Sequence, residues 1–162
     1  MTTKQEKLKL LVESALADFN AHEDYLLSQD LSERCICSKF AMYLERAILQ
    51  SEFSDYKVDV EYNRGAKGNE FSKKVIRDKQ RIFADLIVHK RGYDDQFGFD
   101  NLICIEMKKS NDKRSLSDDQ ERLRIMTDNF YGFGYRMGFL IIADIKKYEL
   151  QIREEYCNSC NY

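Results

Sequence analysis

The chain has 162 residues, 43% of them apolar and 33% charged, with a net charge of −2 and no proline. That length fits one domain able to bury ~68–70% of the surface its unfolded chain exposes, which argues against wholesale disorder. The charge balance excludes a uniformly basic coat for nucleic acid but leaves room for a local patch.

Residues 1–30 read as a helical N-terminal extension. Leu8, Leu11, Val12, Ala15, Leu16 and Phe19 recur at helical spacing. Three lysines meet six acids there, and the charged first ten residues lack the apolar stretch of a secretory signal. The expected compartment is cytoplasmic. Ser32 is the N-cap expected for a helix running to about Glu52, with Cys37, Phe40, Ala41, Leu44, Ala47 and Ile48 as its apolar stripe. Val58, Val60 and Tyr62 alternate with polar residues and predict a short strand. A turn with two glycines, 63–69, opens a segment, 64–81, that carries seven bases against two acids. This segment is either a solvated loop or a surface for phosphates.

A second strand is predicted over Ile82–His89, and a turn-rich connection, 91–101, makes a hairpin with Leu102–Lys108. Leu102–Lys108 reads as central because it is strongly apolar. Ser117 is expected to cap a helix of about Asp118–Phe130. Arg136–Ala143 reads as a buried strand and Tyr148–Ile152 as a last strand at the sheet edge, with 155–162 as a tail. Neither apolar run, Leu102–Ile105 or Phe139–Ala143, approaches the ~20 residues of a membrane span. The whole chain, 1–162, reads as a single α/β domain, a sandwich with a mixed sheet.

The five cysteines suggest reduced thiols. Cys35, Cys37, Cys157 and Cys160 have the residue types for zinc, but positions two apart on a helix do not share a face. The terminal Cys157–Cys160 pair reads as a zinc half-site or as a loose tail.

Two predicted strands place acids where apolar residues are expected. Asp85 interrupts Ile82–Val88, and Glu106 interrupts the run that starts at Leu102. Glu106 and Lys108 are two apart and share one strand face. A desolvated carboxylate needs a cation, a metal or hydrogen bonds. Asp85, Glu106 and the Met107 backbone carbonyl together make a hard oxygen site of the kind magnesium prefers, with manganese as the alternative ion. Lys108 beside it can orient water or offset charge developing on a phosphate. On the helix after Ser32, Glu33 falls on the inward stripe and Glu45 nearer the polar side, which makes Glu33 the preferred third acid and Glu45 the fallback. At the first turn of that helix Glu33 also suits a purely dipole-stabilising role. His89 suits a structural role or a phosphate contact, and Gln120 and Arg122 on the following helix can face the site.

A helix bearing Glu33, then Asp85, then Glu106-Met107-Lys108 resembles the PD-(D/E)XK nuclease superfamily over roughly residues 31–143. Ala84 stands where that family often has proline. The resemblance implies a restriction-endonuclease-like sandwich, a central mixed β-sheet flanked by helices. It further implies magnesium-dependent hydrolysis of phosphodiesters, with DNA the expected substrate. Carried over by position, Asp85 and Glu106 are metal ligands, Lys108 is the catalytic lysine and Glu33 the helix acid. Arg64, Lys67, Lys73, Lys74, Arg81 and Lys109 are the expected nucleic-acid contacts. A homodimer is expected if both strands of a duplex are cut. A catalytically silent module that holds nucleic acid or protein, and a hydrolase of small phosphate esters, are the rival readings.

Overall fold

A computed structural model describes residues 2–62, 82–91, 101–129 and 133–158, together with the backbone of two short strands, 65–67 and 70–72. Helix α1 (Lys4–His22) starts from a capping box, in which Thr3 accepts from the backbone of Glu6 and Glu6 accepts from that of Thr3. After the short α2 (Asp24–Ser28), Ser32 caps α3 (Glu33–Leu49) by accepting from the Cys35 backbone. The strands are β1 (Lys57–Val60), β2 (Gly65–Lys67), β3 (Glu70–Ser72), β4 (Leu86–His89), β5 (Asn101–Lys109), β6 (Met137–Asp144) and β7 (Glu149–Cys157), with α4 (Ser117–Thr127) between β5 and β6.

Five strands form one mixed sheet in the order β1-β4-β5-β6-β7, and β2 and β3 pair separately. Only β5 and β6 run parallel; the other neighbours are antiparallel. Helices cover both faces. Alternation on β5 sends Ile103, Ile105 and Met107 into a core with α1 and α3, built on Leu8, Val12, Phe19, Phe40, Leu44 and Ile48. Cys104 points the other way, into a second core with Ile87, Leu140 and the α4 residues Leu123 and Met126. Glu106 and Lys108 continue the Cys104 side.

The structure corrects several sequence-based boundaries. Residues 4–22 pack into the main core, where Leu8, Val12 and Phe19 are fully buried. The edge strand extends to Cys157 rather than ending near Ile152, because β6 offers register partners as far as Met137. The tail expected from residue 155 is therefore strand through Cys157. Strand β4 starts at Leu86, not Ile82. Helix α3 ends at Leu49 rather than Glu52, and α4 at Thr127 rather than Phe130. Ser117 lies within α4; Leu116 precedes it without a side-chain cap, and Ser115 Oγ accepts from the Ser117 backbone. Cys35 is exposed and Cys37 buried, both with free thiols, as expected for opposite helix faces. Cys157 is disulfide-bonded, which removes it from the zinc half-site and from the reduced thiols. Among the described residues no helix is long and apolar enough to cross a membrane.

Candidate functional site

Strand β5 outruns its neighbour β4. Leu86 pairs with Ile105, so extending that register by one residue sets Asp85 opposite Glu106. The Asp85 carbonyl accepts from the Glu61 backbone (2.9 Å), which continues the β1–β4 register of Val60 with Leu86 by one residue. Glu61 sits at φ 51°, a left-handed conformation that costs a non-glycine residue of order 1–3 kcal/mol. Among the described residues, no strand pairs with β5 beyond Ile105 on the β4 side. Two acids occupy that edge: Asp85 Oδ2 accepts from the Met107 N–H (2.8 Å), and Glu33 Oε1 accepts from the Lys109 N–H (3.1 Å). A strand residue's N–H and C=O point to the same side. The Met107 carbonyl therefore faces the edge that Asp85 closes.

Glu106 is 1% exposed and Lys108 6%. On their side of the sheet α4 supplies Arg122 and Asp119. Arg122 Nε donates to Glu106 Oε1 (3.0 Å) and Nη2 to Glu106 Oε2 (2.9 Å), a bidentate pair. Nη2 also donates to Asp119 Oδ1. Lys108 Nζ lies 3.2 Å from Asp119 Oδ2 and 3.7 Å from Asp112 Oδ2. Arg114 joins Asp112 to Glu33 Oε2 (3.2 Å to the latter).

Burial dominates the carboxyl chemistry. It pushes Glu106 up to about 8, outweighing Arg122, and the Asp85 charge pushes the same way. Burial also raises Asp85, against the Met107 N–H bond and the Arg122 charge. The Cys37 thiol is raised by burial and then by Asp85. Arg114 holds Asp112 well below the usual carboxylate range. Among the described residues, five carboxylates (Glu33, Asp85, Glu106, Asp112, Asp119) share three cations (Lys108, Arg114, Arg122). With all groups ionised the cluster lacks two positive charges.

The structure brings together Glu33, Asp85, Glu106, Met107 and Lys108. A cleft of about 130 Å³ reaches this cluster from the α3 side, lined by Glu33, Arg34, Cys37, Val60, Glu61 and Asp85. Glu106 does not line it; Arg122 covers that carboxylate from the α4 side. Glu45 does not line the cleft either. Lys109 Nζ pairs with Asp30 rather than standing free. Arg64, Lys73, Lys74 and Arg81 lie outside the described residues, and of Lys67 only the strand backbone is described. His89 is 3% exposed and its Nε2 lies 2.9 Å from Asp59 Oδ2, a structural position. Gln120 donates to Glu154 Oε1 on β7 (2.8 Å), away from the site, while Arg122 enters it. Asp119, Asp112 and Arg114 were missed by sequence reasoning. Only the three-residue spacing of Asp119 and Arg122 could have flagged Asp119, as a pair on one helix face; Asp112 and Arg114 precede α4 and carry no such signal.

Among the described residues no three His, Cys, Asp or Glu side chains form a metal-holding group. Magnesium does not require one, since it commonly takes one or two carboxylates and completes its shell with water and substrate phosphate. No protein-family model, curated protein or solved structure matches the chain.

Proposed function

We propose that the protein is a magnesium-dependent phosphodiester hydrolase acting on nucleic acid, DNA by preference, on a restriction-endonuclease-like fold. One observation carries this reading. Buried Glu106 and half-buried Asp85 sit at facing register positions beside Lys108, in a cluster that, among the described residues and with every group ionised, is two positive charges short. Divalent magnesium supplies that charge, and the donors fit it: two carboxylates and the Met107 carbonyl, all hard oxygens. When bound, the metal polarises the phosphoryl oxygens and favours the attacking water.

The chain's own residues do the rest. Asp85 and Glu106 hold the ion, and the Met107 N–H fixes the Asp85 carboxylate. Glu33, bonded to the Lys109 N–H, pins the free end of β5 and so the position of Lys108. Lys108 orients the water and offsets charge as the new oxygen–phosphorus bond forms and the bond to the leaving oxygen breaks. The attacking water gives its proton to solvent, and the leaving oxygen takes one from solvent. Exposed Arg34 and Arg114 flank Glu33 and can meet the phosphates on either side of the cut.

The test is cleavage of labelled single- and double-stranded DNA and RNA with and without magnesium. Asp85→Asn and Glu106→Gln are expected to lose cleavage altogether. Lys108→Ala is expected to lose about 10²–10³-fold, the range for removing one group that stabilises transition-state charge. All three should melt cooperatively. Full cleavage by Asp85→Asn contradicts the site.

The Arg122 chelate on Glu106 favours a second reading, a catalytically silent module that binds nucleic acid or protein, in which arginine has replaced the metal. Binding indifferent to magnesium and to Asp85→Asn, with no cleavage of any substrate, selects it.

A further inference from the structure

Arg122 occupies Glu106 with two hydrogen bonds, yet the proposed ion needs that carboxylate. The same guanidinium already touches Asp119 through Nη2. The other Asp119 oxygen, Oδ2, is buried without a hydrogen bond among the described residues and faces the Lys108 ammonium at 3.2 Å. A buried acceptor without a hydrogen bond is costly and is a ready destination for a donor. Arg122 thus stands between two acids on the same side of the sheet, one fully bonded and one half-bonded.

We propose that Arg122 is a positioning residue that hands Glu106 over to the metal: as the ion binds, the guanidinium swings fully onto Asp119 and releases Lys108 toward the reacting phosphate. This rests on the metal site proposed above. Without the ion, Arg122 chelates Glu106. With it, bidentate Arg122–Asp119 pairing replaces both the Glu106 chelate and the Lys108–Asp119 contact. Lys108 shares a strand face with Glu106, so its release leaves the ammonium on the metal side. The device couples metal arrival to lysine delivery, and of the two hydrogen bonds that the guanidinium gives up at Glu106 one is replaced at Asp119 Oδ2.

A double-mutant cycle on magnesium binding tests it, measured by calorimetry at pH 8.5 on the full chain. Asp119→Asn removes the receiving carboxylate. It is expected to weaken binding roughly tenfold when Arg122 is present and less than twofold in the Arg122→Gln background, because no guanidinium then needs a destination. Simple charge removal gives equal losses in both backgrounds, and that result overturns the handover. A second measurement needs no variant to carry the result. The Arg122 Nε–H signal of the wild-type protein, identified by its loss in Arg122→Lys, should shift with the same magnesium midpoint as the binding heat. Asp85-dependent binding heat with an unmoved Arg122 signal overturns the handover and leaves the metal site standing. No binding heat in the wild type overturns both.

Discussion

Glu106 sets the pH behaviour of the site. Its carboxyl titrates near 4.5 in an ordinary setting and is pushed up to about 8 in the fold by burial. Between those values the folded protein keeps a proton that the unfolded chain has lost. Stability from this group is therefore complete below about 4.5 and declines as pH rises to about 8. Metal binding must expel the same proton, so magnesium affinity should climb by up to ~10-fold per pH unit below that value and level off above it. Calorimetry from pH 6 to 9 measures this, and a flat profile contradicts the assignment of Glu106 as a ligand. Asp85, Glu106 and Lys108 were legible in the sequence because an acid within an apolar strand is conspicuous. Arg122 was legible as a residue of the following helix that can face the site, whereas Asp119 was not. A charged residue on a helix ordinarily marks a solvated face, and only the packing of α4 on β5 shows that this face turns inward.

Helix α4 owes its position to close packing at Gly138 on β6. A Cβ there would lie 3.1 Å from Thr127 Cγ2 and 3.3 Å from both Cys104 Sγ and Leu123 Cδ2. Gly138→Ala is expected to destabilise by about 1–3 kcal/mol, the usual cost of overpacking a core. For a chain of this size that lowers the melting temperature by roughly 2–4 °C per kcal/mol. It should also push α4, and with it Arg122, away from Glu106. An unchanged melting temperature would mean that α4 is not seated as described. Element types were largely readable: α1, α3, β5 and β6 follow directly from apolar spacing. Ends were not. Strand β4 begins only at Leu86 because the Met107 N–H of β5 bonds the Asp85 side chain in place of a backbone carbonyl, a contact made by tertiary geometry that Ile82 and Ala84 do not announce. Strand β7 runs on to Cys157 because β6 lies beside it, although Arg153, Glu154 and Glu155 look like a solvated end.

With a net charge of −2, the molecule as a whole offers no general attraction for a polyanion. Under the proposed function, nucleic acid would be held by local cations near the site. Arg34 and Arg114, with side chains 70% and 71% exposed, flank Glu33. Replacing either by alanine should weaken DNA binding evenly across sequences and reduce the salt slope of log affinity by about 0.9, one phosphate contact each. Fluorescence anisotropy over a salt series measures it, and an unaltered slope removes that arginine from the interface. The overhang of β5 past β4 is what this architecture contributes to chemistry. It leaves backbone N–H groups that Asp85 and Glu33 must satisfy, and so gathers acids at one strand end. The most direct measurement is a magnesium titration by calorimetry on the wild type and on Asp85→Asn at pH 8. Saturable binding by the wild type, lost in a variant that melts at the same temperature, is the expected result. Identical isotherms for the two proteins, or no heat from either, would contradict a metal held between Asp85 and Glu106.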